Sequence, residues 1–311
     1  LRLLAIWLLA LNPVLWGSFY AICKGALETI DPILFLSIEL WIAAVPATFI
    51  LLYLRRNITL DLARRALGLG VLLFFAVLTS TGALYFTTAT NTALFPALNG
   101  ILAALIARVF LNRNIEAATW FAAGLSGWGV SMLLVQSSVW SGSLVGDGIA
   151  FLAAFLFTVY IFAVNTQSEV PPRSMWVIFA LELWTIAICG SLLLAVYSVA
   201  NPDKPLGLSA ISTHHMWAAL YVGLFTTFLP TAIGLFFQRY VSPVTVAFLY
   251  VLEPVWGTLA ARMLLNEHLD WVGLLGASLI VLGSIIHTAA TARDEDEKFA
   301  PSVAKPPQPA P

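Results

Sequence analysis

Three acids inside apolar stretches carry most of the chemistry in this sequence. Glu253 stands directly before Pro254, ten residues into an apolar run over 243–264 (253 − 243), and Glu39 and Glu182 lie inside the runs 32–54 and 174–199. An ionisable side chain at membrane depth costs about 2.5–3.5 kcal/mol on insertion scales, so each must face a partner or a wet cavity. For Glu253 the chemistry on offer is binding a substrate amine or a transported proton. The alternative is a hydrogen-bonded carboxyl that fixes helix packing opposite Asn99. Pro254 removes a backbone donor and frees carbonyls of the preceding turn to line a cavity. Glu39 and Glu182 are each followed two residues later by Trp (Trp41, Trp184), an interface anchor type, and read as packing or ion-paired groups. Lys24 ends its run and is expected to snorkel to headgroups. Arg108 and Arg262, near the ends of theirs, read as interfacial anchors.

Other chemistries find no support. The fifteen Lys and Arg are scattered between apolar runs and form no stripe, which excludes nucleic acid as a partner. Cys23 and Cys189 lie inside apolar runs without CxxC or Cys/His spacing, and adjacent His214 and His215 point to opposite sides and read as a solvated loop, so no metal is expected. A GxGxxG, P-loop or GxSxG in a usable context is absent, as is a cluster of acid, His and nucleophile at one depth. No cofactor and no enzymatic activity are expected.

The elements that hold these residues are membrane helices. Hydrophobic residues make up 60% of 311 and charged residues 10%, and mean hydropathy is +0.91, values an ordinary soluble surface does not sustain. Runs of about 20 apolar residues recur, which predicts ten spans over 3–23, 32–54, 66–88, 90–110, 117–135, 148–166, 174–199, 216–238, 243–264 and 271–290. The first run has no small-residue cleavage pattern and reads as a retained helix. From Arg293 the chain is charged and then Pro-rich, which predicts a disordered tail over 293–311. With the N-terminus inside, twelve of the fifteen Lys and Arg are cytoplasmic and three (Lys24, Lys204, Arg262) are not. Both termini are then cytoplasmic.

The chain also repeats itself. ALNGILAALIARVFLNRNI (97–115) overlies VLEPVWGTLAARMLLNEHL (251–269), with Arg108 on Arg262 and Asn112 on Asn266 (262 − 108 = 266 − 112 = 154). Glu39-Leu40-Trp41 matches Glu182-Leu183-Trp184, Gly82 matches Gly234, and Trp16 and Phe19 align with Phe157 and Tyr160 (160 − 19 = 141). Two five-span units result, 1–140 and 141–292. An odd number of spans per unit inverts the second, which places Arg262 on the opposite side from Arg108. The small-xxx-small pairs Ala103/Ala107 and Gly257/Ala261 are expected to meet each other, with a homodimer as a second use for those faces.

LYVLEPVWGTLAARMLLNEHLDWVGLLGASLIVLGSII (249–286), with Asn12-Pro13, Leu15-Trp16-Gly17-Ser18-Phe19 and TNTALFPALNGILAALIARVFLN (90–112), resembles the EamA-type members of the drug/metabolite transporter superfamily. The family's second repeat helix usually carries Arg where Glu39 and Glu182 stand here, and its Gly-Glu is replaced by Asn112-Arg113 and Asn266-Glu267. The resemblance implies an all-α membrane protein of ten helices in two inverted repeats. It also implies a cavity lined from Trp16, Tyr20, Tyr85, Thr88, Asn91, Asn99, Tyr160, Gln238, Tyr250 and Glu253. Aromatic walls with a few directed polar groups suit a small organic solute such as an amino acid, a nucleoside or an amphipathic drug. The expected activity is secondary transport, more often export, by alternating access in a bacterial inner membrane, or in a plastid envelope, with Glu253 as proton-coupling residue. Phosphorylated sugars or nucleotide sugars are the second substrate class, and a non-transporting scaffold the second function.

Overall fold

The computed structural model describes residues 1–87, 89–136, 143–204, 206–265 and 271–291. Among them all regular structure is helical. Ten helical segments follow in order: α1 (Arg2–Leu27), α2 (Pro32–Leu54), α3 (Leu60–Phe86), α4 (Ala89–Leu94 and Asn99–Val109), α5 (Ala117–Gln136), α6 (Leu144–Asn165), α7 (Pro172–Ala200), α8 (Thr213–Tyr240), α9 (Pro243–Tyr250 and Glu253–Leu265) and α10 (Trp271–Ala290). Among the described residues, nine of them are long and apolar enough to cross a membrane. The tail over 293–311, and Asn266 and Glu267, lie outside the described residues.

Polar side chains mark the helix starts. Asp31, with Pro32 in the first turn, accepts from the Ile33 amide at 2.9 Å to begin α2, and Thr59 accepts from Leu62 to begin α3. Ser242, before Pro243, opens α9 in the same way. α3 and α4 are separate because Thr87 is extended (φ −135°, ψ −175°).

Helices related by the sequence repeat pack on one another: α2 on α7, α5 on α10 and α4 on α9. Small residues set how close they come. A Cβ on Gly129 would fall 2.4 Å from the Gly276 carbonyl, and one on Gly17 would fall 2.7 Å from the Gly257 amide. The α4/α9 contact differs from the sequence expectation. Ala93 meets Gly257, Gly100 meets Phe248 and Val251, and Ala107 clusters with Val244 and Phe248. The two helices are therefore antiparallel, and Ala103/Ala107 lie at the opposite end of the contact from Gly257. Gly257 instead approaches α1 at Gly17.

Two further expectations are corrected, and for Glu39 and Glu182 one of the two expected alternatives, ion pairing, is not found among the described residues. Lys24 does not reach for headgroups: its Nζ donates to the Leu84 and Thr87 carbonyls at 2.7 and 3.0 Å, closing the C-terminus of α3, where unpaired carbonyls attract a cation. His215 is buried instead of solvated. It forms a capping box with Ser212 at the start of α8 and meets Thr29 Oγ1 at 2.7 Å through Nε2. No ion pair engages Glu39 or Glu182 among the described residues; Trp41 and Trp184 pack edge to face at 5.4 Å.

Candidate functional site

Four helices break near one depth, each with a proline at or beside the break. α1 is interrupted at Ala10–Leu11, before Asn12-Pro13. In α4 the turn Phe95–Leu98, containing Pro96, tightens to 3-10 geometry. In α8 the stretch Val222–Phe228 is a π-helix, followed by Pro230. In α9 the helix restarts at Glu253-Pro254. Each break frees backbone groups that a buried site must satisfy. Pro230 has no N–H for the Thr226 carbonyl four residues before it, and Trp16 Nε1 donates to that carbonyl at 2.8 Å. The Phe248 carbonyl accepts from Ser284 Oγ of α10 at 2.9 Å. Asn12, fully buried, donates through Nδ2 to the Pro230 carbonyl at 3.2 Å and to the Tyr250 hydroxyl at 2.9 Å.

These breaks surround a cavity walled by α1, α3, α4, α6, α8 and α9. Of the ten residues expected there, seven line it: Trp16, Tyr20, Asn99, Tyr160, Gln238, Tyr250 and Glu253. Thr88 and the side chain of Asn91 lie outside the described residues. Tyr85 does not line it; the residue is 55% exposed and rests edge-on against Phe86. The reason is helical phase. The cavity face of α3 carries Leu73, Val77 and Ser80, spaced by four and three, so its next position is the buried Leu84, and Tyr85 is turned about 100° away.

Glu253 is the carboxylate on the cavity wall, and the Tyr20 hydroxyl donates to its Oε1 at 2.5 Å. Tyr20 and Glu253 lie one turn along their helices from the Gly17/Gly257 contact, so that close approach of α1 and α9 holds the pair together. Trp16 forms an aromatic corner, edge-on to Tyr250 at 4.8 Å and tilted against Phe157 at 5.8 Å. Asn99 Oδ1 accepts from Thr158 Oγ1 at 3.2 Å, and the Gln238 amide donates to the Ile161 carbonyl. Asn99 and Glu253 thus face the same space with different partners. Lys and Arg are absent from the lining. The polar groups Ser80, Thr226, Thr227 and Thr231 also line the cavity; the Pro230 that breaks α8 is the signal that could have drawn attention to the last three.

Other acids sit behind the wall. Glu182 of α7 is fully buried and its Oε1 accepts from the Tyr160 hydroxyl at 2.6 Å. Glu39 of α2 is fully buried, and neither oxygen has a hydrogen-bond partner. Among the described residues no group of three His, Cys, Asp or Glu could hold a metal ion.

The sequence matches the model of the EamA-like transporter family over residues 3–135 and again over 144–289. It is 27% identical over 296 residues to an uncharacterised transporter of Archaeoglobus fulgidus, covering 92% of this chain and 86% of that one. It is 23% identical over 295 residues to the uncharacterised transporter YoaV of Bacillus subtilis, covering 90% and 95%. The fold is similar to that of a solved crystal structure with a TM-score of 0.69 at 17% identity, covering 95% of this chain and all of that one. With two matched segments that together span most of its length, the chain is a multi-pass membrane protein that belongs to the EamA-like transporter family.

Proposed function

We propose that this protein is a secondary transporter that exports a small organic solute bearing an amine and an apolar body, by alternating access about the central cavity. The observation that carries this reading is Glu253, a carboxylate on the cavity wall at the break of α9, held by Tyr20 and facing aromatic side chains with no cation nearby. An ammonium group or a proton satisfies that carboxylate, whereas phosphate groups need paired cations that the lining does not supply. This favours amino acids, nucleosides or amphipathic drugs over phosphorylated sugars.

Water-accessible space in the cavity is about 50 Å³, room for a few water molecules but below the ~300 Å³ at which solute pockets begin. The walls must separate to admit a solute. Residues 1–140 and 141–292 are the two units that do so, inserted in opposite senses with both termini cytoplasmic; the antiparallel α4/α9 contact and the pairing of α2 with α7 and α5 with α10 support that arrangement. Relatives from an archaeon and a bacterium favour a prokaryotic plasma membrane.

In proteoliposomes, pH-gradient-driven uptake of aromatic amino acids and nucleosides is expected for the wild type and abolished in Glu253→Gln. Unchanged uptake with unchanged pH dependence in the variant would remove Glu253 from coupling.

A further inference from the structure

The cavity wall carries a second tyrosine–carboxylate couple. Tyr160, on α6, lines the cavity, and its hydroxyl donates to Oε1 of Glu182 at 2.6 Å. Glu182 itself is not part of the lining. It is fully buried, and its Oε2 has no hydrogen-bond partner. Tyr160 is also the titratable group that faces Glu182 from the helices packed on α7; among the described residues no Lys, Arg, His or second carboxylate of α2, α3, α6 or α8 pairs with it. An acid at this depth must carry a proton or face a cation. No cation is there, so a proton is the ligand, and the phenol links the acid to the cavity.

Comparison with the other half of the chain makes the hydroxyl informative. Glu39 is the repeat counterpart of Glu182, and the residue matching Tyr160 is Phe19. Phe19 also lines the cavity, and both oxygens of Glu39 have no partner. An aromatic ring without a hydroxyl therefore fills this position in one half, so packing alone does not call for the Tyr160 hydroxyl. Tyr20–Glu253 repeats the tyrosine–carboxylate device elsewhere on the wall.

We propose that Glu182 is a second proton-carrying acid of the transport cycle, loaded from the cavity through the Tyr160 hydroxyl. This inference rests on the reading of the cavity as a proton-coupled transport site. In the loading step a hydronium ion in cavity water gives its proton to the phenol oxygen while the phenolic proton passes to Glu182 Oε1. The hydronium becomes water, one O–H bond is broken and one made at the tyrosine, and the carboxylate becomes the acid. Unloading reverses the step.

Infrared difference spectroscopy between acid and alkaline pH, on protein reconstituted in phosphatidylcholine vesicles, reads this without a solute. The wild type is expected to show a carboxyl band that vanishes at alkaline pH and is missing in Glu182→Gln. In Tyr160→Phe the band is expected to remain while its hydrogen–deuterium exchange slows about tenfold or more. Glu182→Asp, which moves the band and keeps the carboxyl, assigns it where the Gln variant does not fold. A Glu182 band that is the same at both pH values, or that exchanges at the wild-type rate in Tyr160→Phe, would overturn the proposal. The Glu253 reading fails differently: uptake and its pH dependence would both be unchanged in Glu253→Gln while the Glu182 band still titrated.

Discussion

Gly17→Ala adds one carbon at the tightest point between α1 and α9. That Cβ would lie 2.7 Å from the Gly257 amide nitrogen and from Trp256 Cβ, and 2.8 Å from the Trp256 carbonyl carbon. These are backbone atoms and a Cβ, so the neighbour cannot swing aside and one helix must shift. Overpacking of this kind costs about 1–3 kcal/mol, and the helix-propensity gain of Ala over Gly returns at most about 1 kcal/mol. With the clash against backbone, the balance is a net loss of about 1–2 kcal/mol. Gly25, on the same helix, has nothing within 4 Å of a built Cβ, so Gly25→Ala keeps the propensity gain without the clash and gains up to about 1 kcal/mol. The two variants are thus separated by about 1–3 kcal/mol, or roughly 2–12 °C in thermal midpoint at ~2–4 °C per kcal/mol. Tryptophan fluorescence during heating of purified protein in detergent measures this. Because Tyr20 and Glu253 sit one turn away, Gly17→Ala is also expected to weaken pH-driven uptake while Gly25→Ala leaves it intact. Equal midpoints for the two variants would refute the close α1/α9 approach on which the site's geometry depends.

Lys24→Met removes two charge-assisted hydrogen bonds from the end of α3 and is expected to cost about 1–2 kcal/mol; an unchanged thermal midpoint would mean that the cap contributes nothing. Trp16→Phe keeps the aromatic contact but leaves the Thr226 carbonyl without its donor beside Pro230, with an expected loss of about 1–3 kcal/mol and faster amide exchange in the π-helix of α8. Lys204, on the loop before α8, is raised above the ordinary lysine range, first by its hydrogen bond with Tyr197 and then by that with Asp31. A raised lysine stabilises the fold fully below its unfolded value, about 10.4, and the contribution is lost as pH rises through the folded one. Stability of the wild type is therefore expected to fall faster than that of Lys204→Met in strongly alkaline buffer, and parallel pH curves would count against the interaction.

The helices were legible because length and hydropathy are properties of the chain itself; Pro254 also marked a break, whereas the breaks at Pro13, Pro96 and Pro230 emerge only in the structure. Glu253 was legible for the same reason, as an acid beside a proline in an apolar run. What was not legible is which side of each helix turns inward. A helix in a bilayer is apolar all round, so hydropathy leaves no readable face. The resemblance implies Tyr85 as a cavity residue, whereas the cavity face of α3 runs through Leu73, Val77 and Ser80. Partners joined across helices were hidden as well. Nothing in the local sequence couples Tyr160 to Glu182, Lys24 to the end of α3, or His215 to Thr29. The repeat relates positions along the sequence, not contacts between them. It misled only when matched positions were assumed to touch: in antiparallel helices such as α4 and α9, equivalent positions fall at opposite ends, and Gly257 found Gly17 and Ala93 instead of Ala103.

The central claim, that the cavity around Glu253 receives the solute, is tested most directly by plugging it. A Cβ on Gly234 would meet only the Tyr250 hydroxyl, at 3.9 Å, so the first carbon of the Gly234→Leu side chain enters open space on the cavity wall. Thermal stabilisation of wild type and variant is measured across amino acids, nucleosides and phosphorylated sugars. The account predicts that an amine-bearing, unphosphorylated solute stabilises the wild type and has no effect on a folded Gly234→Leu protein. Stabilisation by phosphorylated compounds alone, or stabilisation that persists in the variant, would contradict it.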